Sequence, residues 1–229
     1  MIKRERGGKA LVERFSQIAK ANLKHNLFPH LLIAGAFLLI APLLMGLEYL
    51  NARSTAQVLE QYVVLIGIIL LTPIFLPEQD KDIRGLVRTK YTNTAIIAGI
   101  RILEAAACLV LLTGAFLLVM KHGQCIFPAG KFLWGTLAGA VFLGGMGLCA
   151  YAIFDQIAVA YMLPMVYFLI NLSNGNRYVK DFFLFSMAQG SYKEKYYLAG
   201  MGVVFIFIGI GYPYIVRKLP GLSPLRIKQ

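Results

Sequence analysis

The sequence predicts an all-α integral membrane protein with six transmembrane helices behind an amphipathic N-terminal helix, and three observations predict it. Of the 229 residues 58% are hydrophobic and 15% charged, whereas a soluble domain carries roughly 25% charged residues. The apolar residues gather into six runs, about 31–49, 58–76, 95–120, 132–154, 157–172 and 197–216. Most of these approach the ~20 residues that cross a ~30 Å hydrocarbon core. The charges fall almost entirely between and outside these runs, which reads as one transmembrane domain over residues 1–229.

Residues 11–28 form the amphipathic element. Leu11, Phe15, Ile18 and Leu23 fall on one face and Glu13, Gln17, Lys20 and Lys24 on the other, a pattern suited to a helix lying in lipid headgroups. The first run contains Pro42, which predicts a kink. Asn51 to Ala56 reads as a polar turn and Glu60, just beyond it, as interfacial. Pro73 and Pro77 mark the end of the second run. The third run is long enough to cross with tilt. The fourth contains the small-residue pairs Gly135/Gly139 and Ala140/Gly144. Such pairs let helices approach closely in lipid, here more for packing within the chain than for a dimer face. The fifth run is short and contains Pro164; the sixth ends in Arg217 and Lys218.

Six crossings leave both termini on one side. That side would hold fifteen lysines and arginines, in the N-terminal segment, the 77–91 linker and the tail, against seven on the other. Positive charge collects on the cytoplasmic side, so both termini are expected to be cytoplasmic in a cell membrane. Topology also accounts for the net charge of +12 better than nucleic acid does, so lipid is the expected partner and nucleic acid is not.

The 77–91 linker holds Glu78, Asp80, Lys81, Asp82, Arg84, Arg88 and Lys90, and cannot lie in hydrocarbon. Ile83, Leu86 and Val87 keep an i, i+3, i+4 spacing and Asp80 suits an N-cap, which predicts a short amphipathic helix at the inner surface. A second span, an acidic residue, a short helix with an apolar face, a basic residue and a third span resemble the permease subunit of ABC-2 type ABC transporters. The matching positions are Glu78, Ile83, Leu86 and Lys90, with Arg101 further on. Arg84-Gly85 departs from the pattern by interrupting the helix near its centre, at a cost of about 1 kcal/mol relative to alanine.

The resemblance implies that the linker is a coupling helix docked on a separate ATP-binding subunit, through Glu78, Asp80, Asp82, Ile83, Arg84, Leu86, Val87 and Arg88. ATP and Mg would sit on that subunit and no cofactor in this chain. It implies that residues 11–28 are an elbow helix and that residues 173–195 form short helices closing an outer gate. It also implies pairing with a second permease subunit, the same or a sister.

Further candidate residues follow from charge and aromatic content. Arg101 and Glu104 lie three apart in the third run. They are either a polar spot in a pathway or gate, or a mutually paired couple snorkelling to the inner headgroups. Asp155, in the tight turn before the fifth run, is either a turn residue or a second contact to the ATP-binding subunit. Phe182, Phe183 and Phe185 suggest that 173–195 is a re-entrant or surface-lying piece, and the resemblance implies that they belong to the gate. Asn171 begins a glycosylation sequon at the end of a span and carries no weight. Cys108, Cys125 and Cys149 have no metal-site spacing. No phosphate loop, HExxH or nucleophile elbow is present, so catalysis and metal binding by this chain are not expected. The expected function is export of a hydrophobic or amphipathic cargo such as a peptide, toxin or antibiotic. The alternative is a secondary transporter or channel needing no motor.

Overall fold

In the computed structural model, residue 13 and residues 15–79 and 94–218 are described. The part of the linker that holds Asp80, Asp82, Ile83, Arg84, Leu86, Val87 and Arg88 lies outside them, as do Leu11 and Val12. Among the described residues the chain is all-helical. Five helical stretches are long and apolar enough to cross a membrane: Phe15–Met45, Ala52–Pro77, Ala95–His122, Ala129–Phe154 and Lys193–Tyr212. The apolar part of the remaining helix, Ile157–Ser173, is shorter. These lengths and compositions make the chain a multi-pass membrane protein.

Helix α1 spans Phe15–Met45. The amphipathic segment and the first apolar run thus form one uninterrupted helix from Phe15 onward, with a π-turn at Leu23–Leu27. Pro29 lacks an N–H, and its ring would press on the carbonyl one turn back. The widened turn, in which the Phe28 N–H reaches the Leu23 carbonyl, makes room for it. Pro42 lies inside the same helix, which continues to Met45.

The second stretch is segmented. Helix α2, Ala52–Gln61, begins inside the stretch Asn51 to Ala56 expected to be a polar turn, and takes up all of it after Asn51. Asn51 caps it, its side-chain oxygen accepting the Ser54 N–H at 2.9 Å. A 3₁₀ turn at Val63–Leu65 leads into helix α3, Ile66–Leu71, and a second 3₁₀ segment, Thr72–Gln79, ends the stretch. Pro73 and Pro77 cannot donate α-helical hydrogen bonds, which favours the tighter winding. Helices α4 (Thr94–His122), α5 (Ala129–Phe154), α6 (Ile157–Val179) and α7 (Lys193–Lys218) follow. Asp155, left-handed at φ 53°, makes the α5–α6 turn, its N–H bonded to the Tyr151 carbonyl at 2.8 Å.

The core is the second stretch and α5, whose apolar windows are 83% and 72% buried. The windows of α1, α4 and α7 are only 22–28% buried. They turn large apolar side chains such as Leu43, Leu103, Leu111 and Phe207 outward, as hydrocarbon-facing helices do.

Glycine brings the two core elements together. A Cβ on Gly67 would meet the Ala140 backbone oxygen at 2.1 Å, and one on Gly144 would meet the Gly67 oxygen at 2.4 Å. Gly145 and Gly202 bring α5 against α7 in the same way. The small-residue pairs of the fourth run therefore serve packing within the chain. Tyr62 ties α1 to this core, stacking on Phe37 at 4.1 Å and donating to its carbonyl at 2.6 Å.

Successive long helices alternate in direction. One end of the bundle carries the α5–α6 turn and the approach to the 77–91 linker. The other carries the α1–α2, α4–α5 and α6–α7 connections. Two of these pair by backbone hydrogen bonds, Tyr49 N–H to Gly123 O at 2.9 Å and Ile126 N–H to Leu50 O at 3.2 Å.

Candidate functional site

The α6–α7 connection, residues 180–192, is held by side chains of α2, α6 and α7, and its sequence explains its path. Helix α6 stops at Lys180, which has φ 42°. Short 3₁₀ turns at Lys180–Phe182 and Met187–Gln189 follow, and Gly190, at φ 81°, releases the chain into α7. Between the turns the backbone is extended enough to leave N–H and C=O groups without local partners, and buried backbone groups need partners.

Four side chains supply them. The Glu60 carboxylate accepts the Met187 N–H at 2.8 Å with one oxygen and the Ala188 N–H at 3.0 Å with the other. The Lys195 ammonium donates to the Leu184 carbonyl and stands 2.6 Å from Glu60 Oε1. The side-chain oxygen of Asn171 accepts the Leu184 N–H at 2.9 Å, while its amide donates to the Tyr167 carbonyl. The Tyr167 hydroxyl donates to the Phe182 carbonyl at 2.6 Å.

Glu60 and Lys195 both have 0% side-chain exposure. Sequence reasoning missed this pair, reading Glu60 as interfacial and Lys195 as an outer loop charge. A signal was present in helical spacing. The polar face of α2 is Arg53, Gln57 and Gln61, and Glu60 falls off it, beside Ala56 and Leu59.

The loop's side chains fill the space between helices. Leu184 lies against Gly139 and Met187 against Gly135, where added Cβ atoms would meet them at 3.3 Å and 2.2 Å. Phe183 and Phe185 are buried and meet edge-on at 5.9 Å, and Phe185 meets Phe168 at 5.5 Å. Phe182 is at the rim, 36% exposed, near Phe142 and Tyr197. Protein therefore covers the segment on several sides, and Gly139 lies ten residues, roughly 15 Å of helix rise, beyond the start of α5. Asn171, 2% exposed with its amide engaged at both ends, has no room for a glycan.

A polar cleft of about 260 Å³ opens beside the loop. Arg53, Gln57 and Gln61 of α2 line one wall, Ser173 of α6 stands in the other, and Phe183 and Phe185 contribute aromatic surface. Nearby, the Lys131 ammonium sits 5.8 Å from the centre of the Tyr192 ring. Burial pushes the Tyr192 phenol up, and the Glu60 carboxylate adds to the rise.

At the opposite end lie Arg101 and Glu104 of α4. Arg101 donates to the Ile74 carbonyl at 3.2 Å, and Glu104 accepts from the buried Asn22 amide at 2.6 Å. These bonds tie α4 to the second stretch and to α1. Asn22, unremarked in the sequence, is the residue that carries α1 into this contact. Asp155 is exposed at the same end, toward which the second stretch descends. The 180–192 aromatics and the Arg101/Glu104 region are thus at separate ends and do not form one site. Comparison with protein-family models, with curated proteins and with solved structures finds no match for this chain.

Proposed function

We propose that the chain is the membrane-spanning permease subunit of an ATP-driven exporter of the ABC-2 kind, with six crossings and cytoplasmic termini. The observation that carries the reading is the 180–192 segment. It is folded back between the last two helices and held there by Glu60, Asn171 and Lys195, as a structured outer gate of such a permease would be. The charge of the 77–91 linker, whose described start is the end of the second stretch, supports a docking surface for a separate ATP-binding subunit. In this reading ATP closes two motor subunits, the linkers move with them, and a pair of permease subunits alternates between inward and outward access. Glu78, Asp80, Asp82, Arg84, Arg88 and Asp155 set the register of docking while Ile83, Leu86 and Val87 supply its apolar contact. ATP and Mg belong to the motor. The cargo is hydrophobic or amphipathic, of the peptide, toxin or antibiotic type.

A secondary transporter would draw on Glu60 and Lys195 as its ion-coupling residues. Both Glu60 oxygens are engaged by loop N–H groups, and Lys195 holds a loop carbonyl, which favours a positioning role.

The test is purification in mild detergent with identification of what stays bound. An ATP-hydrolysing protein should co-purify, and Leu86→Asp should abolish cargo export while the permease remains folded. Full transport by Leu86→Asp, or transport with no motor present, would overturn the reading.

A further inference from the structure

We infer that the cleft between α2, α6 and the 180–192 loop binds the carboxylate end of an extended peptide. The inference deepens the export reading, on which it rests for the purpose of the binding. Its volume, about 260 Å³, falls below the ~300–1,000 Å³ typical of sites that enclose a drug-sized ligand. The cleft therefore suits the end of a longer molecule.

The chemistry of the wall selects which end. Among the described residues Arg53 is the one ionised side chain lining the cleft, and a guanidinium matches a carboxylate with two parallel hydrogen bonds. Gln57 and Gln61 follow it at i+4 and i+8 on the exposed and half-exposed face of α2. Each carboxamide offers both a donor and an acceptor, as a peptide group does. Four residues of helix rise about 6 Å, close to the ~6.7 Å over which an extended chain repeats. A carboxylate on Arg53 thus sets successive peptide groups of one edge against Gln57 and Gln61.

Phe183 and Phe185, buried but for an edge of each ring, complete the lining on the other side. The surface is held in advance. The loop that carries the two phenylalanines is fixed by Glu60, Asn171 and Lys195, whose hydrogen bonds are internal to the protein. Glu60 itself faces the loop, so its carboxylate does not repel the ligand.

The full chain in phosphatidylcholine nanodiscs, without any motor subunit, is titrated calorimetrically with an acetylated peptide of alternating leucine and glutamine. The peptide is used as the free acid and as its C-terminal carboxamide. The free acid should bind about tenfold more tightly, as a charge-assisted pair predicts. Arg53→Gln should make acid and amide bind alike, and Arg53→Lys should keep part of the preference. Gln57→Leu with Gln61→Leu should weaken both forms by similar factors and leave the preference intact.

Equal binding of acid and amide to the unaltered chain overturns the inference, as does a preference that survives Arg53→Gln. So does tighter, Arg53-dependent binding of dioctanoyl phosphatidylglycerol, which would assign the cleft to a lipid headgroup. If Arg53→Gln fails to fold, the comparison of acid with amide on the unaltered chain still decides. The assay contains no motor, so its failure leaves the export reading standing, and failure of a motor to co-purify leaves this result untouched.

Discussion

Replacing Glu60 by glutamine is the sharpest test of how the α6–α7 connection is held. The substitution keeps shape and removes charge. It leaves the Lys195 ammonium, with no exposed surface, without its counter-ion at 2.6 Å. Breaking a buried pair from one side costs about 3–5 kcal/mol. The new amide group must also face either the Met187 or the Ala188 N–H, donor against donor, which adds about 1–3 kcal/mol for the orphaned group. The total is about 4–8 kcal/mol, enough to release the loop before the bundle itself opens.

Two measurements read it. One is thermal unfolding in detergent. The other is maleimide labelling of a cysteine placed at Ser186, which is 1% exposed, in a background where Cys108, Cys125 and Cys149 are replaced. Glu60→Gln should lower the melting point by about 8–32 °C, at roughly 2–4 °C per kcal/mol for a chain of this size, and should make position 186 reactive. Adding Lys195→Met should recover part of the loss, because no unpaired charge then remains. The recovery should be incomplete, since loop N–H and C=O groups still lack partners. Unchanged stability with an unreactive position 186 would refute the reasoning.

Other sites give independent tests. Gly67→Ala should destabilise by about 1–3 kcal/mol or more, because its Cβ would meet backbone that cannot rotate away. Gly114→Ala, with open space around its Cβ, should be neutral or stabilising by up to about 1 kcal/mol; melting points of the two variants compare them directly. Asn171→Ala orphans the Leu184 N–H and should cost about 1–3 kcal/mol, seen as a lower melting point. Asn22→Leu removes the donor to Glu104. It should lower the melting point and loosen α1, read as faster proteolysis near the N-terminus, while leaving labelling at position 186 unchanged.

Much of the bundle was legible because burial in lipid demands long apolar helices, and hydropathy counts them. The α5–α6 turn was legible from Asp155 and the end of the second stretch from Pro73 and Pro77, whereas the polar turn expected over Asn51 to Ala56 is the start of α2, capped by Asn51. Hydropathy did not say which helices are central. The buried stretch Ala52–Pro77 and the outer α1 have nearly equal mean hydropathy, 2.1 and 2.2, yet are 83% and 22% buried. Lipid tails and leucine side chains are equally apolar, so the two environments select the same residues. The glycines of α5 were the better guide, because close backbone approach is something lipid does not require.

The sequence by itself determined an apolar helical chain, the α5–α6 turn and an aromatic connection before the last helix. Tertiary structure alone decided that Glu60 and Lys195 meet, and that Glu60 reaches backbone groups 127 and 128 residues away. No local spacing encodes such a contact. It exists because a non-helical segment placed among packed helices has to find hydrogen-bond partners there, and the nearest ones come from distant parts of the chain.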